Sequence, residues 1–342
     1  MADDGYTDTH RAFLQALLSR QTIDYETAKP LIASIQTAAT PDRPTLPGDI
    51  TFETFEDFIN TVSDAVIPFD YEILGAKDQH HGGEGIWALV NTTSDAMTQM
   101  ATVHGADEIA FVKRVLDCMF EEKNDSEAAE VMAVKGTEAL NLRKAERGRG
   151  RGRRGSGPTQ QPDGSTNGNA ADITMHQADL MLQSMVAEGW FELSENGYYS
   201  LSQRGVLELK DWLVKTYDDA DDEEEEEEEE EEGGGGDPAH KKIKSCSACR
   251  QIITVGQRCP DLACHGRLHD HCTQLMWRQQ RDRRECPVCK LPWENAPPVG
   301  EKAARDARRA RGQNGRRSTN GRKSHAETNG AHSDGSEDLY NA

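Results

Sequence analysis

Apolar residues recur along this chain at two spacings, and the changes between them divide the sequence. Phe13, Leu14, Leu17 and Leu18 share one helical face, with Thr9 or Asp8 in capping position. Leu31, Ile32 and Ile35 mark another face, so residues 6–40 predict two helices. Three prolines and a glycine in 41–49 predict a linker. Phe55, Phe58, Ile59 and Val62 then return at helical spacing. Phe69 to Leu74 and Ile86 to Val90 read as strands, and the glycine-rich loop His80 to Gly85 between them predicts a hairpin. Asn91 to Asp95 are all helix-capping types, and Ile109, Val112, Leu116 and Met119 stripe a further helix. We read 50–122 as one compact unit of winged-helix type, helices with a β-hairpin, and 126–142 as a further helix.

Residues 171–217 repeat this logic in smaller form. Thr174 caps a helix carrying Ala178, Leu182, Met185 and Val186, which Gly189 ends. Trp190 to Leu193 and Tyr198 to Leu201 flank Ser194-Glu195-Asn196-Gly197. Asn-Gly between alternating apolar runs is a strong hairpin signal, because both residues tolerate positive φ. Val206, Leu209, Trp212 and Leu213 mark a last helix, and the whole predicts a second winged helix.

Elsewhere the periodicity stops. Arg147 to Gly157 reads RGRGRGRRGSG and the polar composition continues to Asn169. Ten glutamates at 223–232 and four glycines follow the second unit. Such segments bury too little apolar surface to offset their conformational entropy. Hydrophobic residues make up 35% of the 342, too few for one compact fold over the whole length. The formal charge of −21 is concentrated: Asp218 to Glu232 holds 14 acids, leaving −7 for the remainder. Arg143 to Arg154 carries seven basic residues against one acid, and Glu301 to Lys323 nine against two. Blocks of this kind read as linkers and tails. No apolar run reaches membrane-spanning length and Met1 to Thr9 is polar and acidic, so the expectation is a reducing, intracellular protein without membrane contact.

Seven of the eight cysteines lie between 246 and 289. With His269 they form four pairs: Cys246/Cys249, Cys259/Cys264, His269/Cys272 and Cys286/Cys289, partners separated by two or four residues. In a reducing compartment such pairs signify metal, each spanning two corners of a zinc tetrahedron. Eight ligands make two closed Zn²⁺ sites, structural and not hydrolytic. The C4-H-C3 order and the loop lengths favour interleaving: Cys246, Cys249, His269 and Cys272 around one ion, Cys259, Cys264, Cys286 and Cys289 around the other. A PHD finger normally places tryptophan two residues before the seventh ligand, where Arg284 stands here. The last pair reads Cys286-Pro287-Val288-Cys289, the C-P-x-C of RING domains. His265 and His271 are read as surface residues, and Cys118 as a small buried side chain.

The fold class is therefore α+β multidomain: tandem winged-helix domains followed by a zinc-stabilised RING-like domain, with disordered linkers and tail. The expected parts are N-terminal helices and first winged helix at 6–142, an Arg/Gly-rich insert at 143–170, and second winged helix at 171–217. An acidic and glycine-rich linker at 218–240, the RING-like domain at 241–295 and a basic tail at 296–342 complete it.

A paired winged helix with a C4-H-C3 RING resembles the non-structural maintenance of chromosomes element 1 family, of fungal type. His10-Arg11-Ala12-Phe13-Leu14-Gln15-Ala16-Leu17, Leu89 to Asp95, Glu108 to Asp117 and Gly197-Tyr198-Tyr199-Ser200-Leu201 are similar to family stretches. The resemblance spans about 6–217 and 246–293. It implies a nuclear, chromatin-associated subunit of the complex built on the structural maintenance of chromosomes 5 and 6 ATPases, acting in DNA repair and recombination. It implies a MAGE-type and a kleisin partner, and a RING-type ubiquitin-protein transferase with no nucleophile of its own, which orients a charged ubiquitin-conjugating enzyme. In such RINGs the contacts to that enzyme and to ubiquitin match Ala248, Trp277, Pro287 and Lys290 here. Ala248 is smaller than the usual isoleucine, Lys290 lacks arginine's planar fork, and Trp277 has a second reading as packing. Activity is thus expected to depend on the MAGE-type partner. The alternative is a non-catalytic subunit whose zinc fold only stabilises the assembly. Asn91 to His104 and Thr174 to Glu188, taken as the recognition helices, contain no Lys or Arg, so contact with nucleic acid is expected to be indirect or weak.

Overall fold

The computed structural model describes residues 5–93, 96–144, 172–218, 241–281 and 283–305. Nearly all of the Arg/Gly insert, the glutamate run and the tail beyond Arg305 lie outside the described residues.

The first unit contains α1 (Asp8–Arg20), β1 (Thr22–Asp24), α2 (Tyr25–Ala39), α3 (Phe52–Val66), β2 (Tyr71–Lys77) and β3 (Gly85–Asn91). β3 is central in an antiparallel sheet of order β1-β3-β2. Phe13, Leu17, Ile32, Phe55, Phe58, Val62, Ile73 and Leu89 fill its core. The cap of α1 is Thr7, one residue before Asp8 and two before Thr9, the expected positions, with its N–H donating to His10 Nδ1 at 3.1 Å. Leu18 stays exposed because α1 buries only a narrow stripe.

The second unit contains α4 (Ala96–Val103), α5 (Ala106–Asp117), β4 (Asn124–Asp125), β5 (Ala129–Glu130), β6 (Ala133–Lys135), α6 (Gly136–Ala139), α7 (Met175–Ala187), β7 (Phe191–Leu193), β8 (Tyr198–Leu201), α8 (Gln203–Glu208) and α9 (Lys210–Tyr217). Its sheet has the order β6-β8-β7, the same first-third-second order as the other. Thr174 caps α7 reciprocally: Gln177 N–H donates to its Oγ1 at 3.2 Å, and its own N–H donates to Gln177 Oε1 at 2.9 Å. Gly197 turns the hairpin at φ 76°.

Packing redraws several expected boundaries. Met97, Met100, Ile109, Val112 and Leu116 pack with Leu182, Met185 and Leu201, so 96–122 belongs to the second core and not to a unit spanning 50–122. The helix directly before the first hairpin is α3, not 91–104. Segment 126–142 is not one helix: Ala133, Val134 and Lys135 pair with Ser200, Tyr199 and Tyr198, and only 136–143 is helical. The sheet's need for a third strand overrides local helix propensity there. The last helix is two, broken at Leu209.

The cysteine-rich part contains β9 (Gly256–Arg258), β10 (Arg267–Leu268), α10 (Asp270–Gln279) and β11 (Pro298–Val299), in a sheet of order β10-β9-β11. Residues 296–305 are therefore ordered, against the expected tail from 296. Gly300 N–H donates to the Glu130 carbonyl at 2.8 Å, and Ala303 packs on Val131 and Tyr198. Ile243, Ile252, Ile253 and Val299 join the second unit's core, so this part is packed against the body.

Candidate metal centres and the surface they shape

Two short loops present the outer ligand pairs in the same way. Cys246 N–H donates to the Gln251 carbonyl and Arg250 N–H to the Cys246 carbonyl, at 2.8 and 2.9 Å. Cys286 N–H donates to Leu291 and Lys290 N–H to Cys286, at 2.8 and 3.1 Å. Arg250 and Lys290 both take φ 64°, the left-handed turn that folds each loop back on its sulfurs. β9 and β10 carry the chain between loops, and α10 begins at the His269 cap and brings Cys272 round on its first turn.

The donors converge in two groups of four. In each, the nearest ligand atoms of Cys246, Cys249, His269 and Cys272, or of Cys259, Cys264, Cys286 and Cys289, lie within 4.8 Å of one another. Cys249 Sγ is 3.3 Å from His269 Nδ1, and Cys259 Sγ is 3.5 Å from Cys289 Sγ. The groups interleave along the sequence, as the ligand order predicts. His269 Nε2 faces the Ile252 carbonyl at 3.2 Å; a carbonyl only accepts, so this nitrogen carries the proton and Nδ1 turns its lone pair to the sulfurs. Gly266 leaves room for the second group, since a Cβ there would lie 2.7 Å from Cys286 Sγ. Backbone N–H groups of Gly266 and Val288 point at Cys264 and Cys286 sulfurs, both at 3.4 Å. This donor set fits a tetrahedral Zn²⁺ at each group, with no place left for substrate.

The four other expected site residues separate by environment. Ala248 and Lys290 are exposed and Pro287 is half-buried beside them on the loop surfaces. Lys290 Nζ donates back to the Pro287 carbonyl at 2.8 Å. Trp277 packs against Trp293, ring centres 5.9 Å apart, within the module's own apolar cluster. His265 is exposed, whereas His271 is half-buried and stacks on His269 at 4.9 Å.

Sequence reasoning missed what fixes this module to the body. Glu130 and Arg267, both buried, make two hydrogen bonds at 3.1 and 2.5 Å, and Arg258 Nη1 approaches Glu130 at 3.4 Å. Arg258 also donates to the Ser126 carbonyl at 2.6 Å. Gln79, in the first hairpin loop, accepts from Thr254 and Val255 N–H at 2.9 and 3.2 Å and donates to the Ile252 carbonyl at 3.0 Å and to Gln203 at 3.2 Å. One side chain thus joins both helical units to the cysteine-rich module. The sequence shows only polar or charged side chains at these positions, as an exposed loop does equally.

Comparisons with known proteins agree with this architecture. The family described as "Nse1 non-SMC component of SMC5-6 complex" matches residues 10–209, and a "RING-like domain" matches 246–289. The Homo sapiens "Non-structural maintenance of chromosomes element 1 homolog" is 24% identical over 85% of this chain and 86% of its own length. The Schizosaccharomyces pombe "Non-structural maintenance of chromosomes element 1" is 21% identical over 87% of this chain and 97% of its own. A chain of a solved structure described as "Nse1-Nse3-Nse4 complex" shares the fold with a TM-score of 0.59 at 19% identity, covering 85% of this chain and 99% of that one. With a family match over more than half its length and a RING-like module at the end of the fold, the chain belongs to the Nse1 family, the non-SMC components of the SMC5-6 complex.

Proposed function

We propose that the chain is a RING-type ubiquitin-protein transferase subunit of the SMC5-6 complex, nuclear and chromatin-associated, acting in DNA repair and recombination. Its helix–hairpin units are read as winged helices. The observation that carries the reading is the interleaved pair of four-donor groups. They set two loops, with Ala248 and Pro287–Lys290, at the surface of a module the body holds rigidly. When bound, Zn²⁺ supplies the crosslinks that fix those loops; Cys246, Cys249, His269 and Cys272 hold one ion, and Cys259, Cys264, Cys286 and Cys289 the other. This chain's part in transfer is orientation: the loop surface receives a charged conjugating enzyme and Lys290 faces ubiquitin, while the acceptor amine attacks the thioester carbonyl, forming the amide and breaking the C–S bond to release the conjugating enzyme's cysteine thiol.

Assembly with a MAGE-type and a kleisin subunit is supported by the similar solved chain, named in a complex with Nse3 and Nse4. The helices preceding both hairpins favour protein contact over DNA. α3 carries Glu53, Glu56, Asp57 and Asp64 with no Lys or Arg, and α7 has Asp179 and again no Lys or Arg, so neither neutralises phosphate. A second reading, a module that only stiffens the complex, draws on the local Lys290 Nζ bond to the Pro287 carbonyl and the short Ala248 side chain. Co-expression with a MAGE-type subunit followed by a ubiquitination assay separates them. Ubiquitin conjugates that increase with the partner support the transferase, and their absence with and without the partner leaves the stiffening role.

A further inference from the structure

A third cluster of metal-binding side chains lies away from the cysteines, where the first hairpin loop meets the second unit. Asp78, His81 and Glu192 each offer a donor atom, the three within 4.8 Å of one another. The loop supplies two and β7 the third, so the group spans both hydrophobic cores. Asp78 is buried, and its Oδ1 accepts the N–H groups of His80 and His81 at 2.8 and 3.1 Å. That leaves Oδ2 fixed toward His81 Nδ1, 3.0 Å away, with Glu192 Oε1 at 3.9 Å on the other side. His80 lies against Glu192: its Nε2 is 3.1 Å from the Leu201 carbonyl, and its Nδ1 is 3.2 Å from Glu192 Oε2.

We propose that Asp78, His81 and Glu192 form a third, labile site for a first-row dication of the Zn²⁺ class, joining the first hairpin loop to β7. Ligand atoms 2.0–2.2 Å from Zn²⁺ lie about 3–3.5 Å from each other, so the group closes on an ion by movement of the exposed His81 and half-buried Glu192 alone. One imidazole and two carboxylates leave positions for water. This donor set suits a transition-metal dication better than Ca²⁺, which takes six to eight oxygens. Glu84 on the same loop adds a further negative charge near His81. Outer contacts of the kind found at established sites are present: two backbone N–H groups orient the Asp78 ligand, and His80 lies against the Glu192 carboxylate. The expected role is mechanical: an ion here clamps the two helical units together in addition to Gln79.

The test uses the full chain, first dialysed and its retained zinc counted by elemental analysis, then titrated with ZnCl₂ by calorimetry. The proposal expects one further binding event above the retained ions. His81→Ala and Glu192→Gln should each weaken it by more than the roughly 10–100-fold that loss of an outer partner costs, without changing the retained zinc. No further event in the wild type overturns the site and leaves a histidine–carboxylate clamp. An event of equal affinity in both variants places the ion elsewhere and overturns it too. Loss of retained zinc from the wild type would instead count against the cysteine sites.

Discussion

Glu130 sits with no exposed surface between two buried guanidiniums, those of Arg258 and Arg267. Burial lowers the Arg258 pKa and that of the neighbouring Lys244, so the one carboxylate holds together a locally positive, desolvated cluster. Replacing it by alanine leaves those charges unpaired, and we expect Glu130→Ala to cost about 3–5 kcal/mol in chemical denaturation. A loss within about 1 kcal/mol would mean that the pair is no more than a surface ion pair. Cys118 is the opposite case, a thiol with no metal-binding partner. Burial, with Glu122 beside it, pushes it from 9.0 up to about 12. Its folded pKa is raised, so its contribution to stability is complete below pH 9 and is lost as pH rises toward 12. Denaturation midpoints followed over that window should fall more steeply for the wild type than for Cys118→Ala; parallel falls would contradict this. At residue scale the two four-donor groups were legible because their spacing has few other uses. Glu130, Arg258 and Arg267 were not, since a charged residue in sequence is indistinguishable from a solvated one until its partner, over a hundred positions away, is placed.

At the scale of elements, both units share a three-stranded sheet of first-third-second order, yet only part of it could be read. The hairpins were legible from alternation and from Asn196-Gly197. β1 and β6 were not, because three residues are too few to establish a period and their strand identity comes from pairing with β3 and β8. The assignment of α4 and α5 to the second core was hidden for a related reason: an apolar stripe says that a helix is buried, not against what. The loop of the first hairpin is the element that ties the parts together. Gln79 makes its bonds there, and a Cβ on Gly83 would lie 2.4 Å from His271 Cβ. Gln79→Ala leaves the buried Thr254 N–H unpaired, at about 1–3 kcal/mol, and releases the part-buried Val255 N–H as well. Hydrogen exchange should then quicken at 252–255 before it quickens in α3 or α7. Uniform change across all three regions would show that the loop is not the joint.

For the whole molecule, the shared core makes the zinc-binding module a structural member of the body. Ile252, Ile253 and Val299 lie in one cluster with Leu182 and Leu213. Chelation of the ions should therefore raise exchange in the second unit as well as in 246–289, while the first core around Phe55 and Val62 keeps its protection. Loss confined to 246–289 would contradict the shared core. A module held in this way presents its loops in a fixed direction, and orientation is what a RING-type transferase contributes. The most direct measurement is the single-turnover discharge of ubiquitin from a charged conjugating enzyme by the complex of this chain with a co-expressed MAGE-type subunit. Wild type is compared with Pro287→Ala and Lys290→Ala, and zinc content and assembly are verified for each. The account predicts acceleration by the wild type and a loss of about tenfold or more in each variant, equivalent to at least 1.4 kcal/mol of transition-state stabilisation. Discharge no faster than without the complex, or equally fast with both variants, would contradict it.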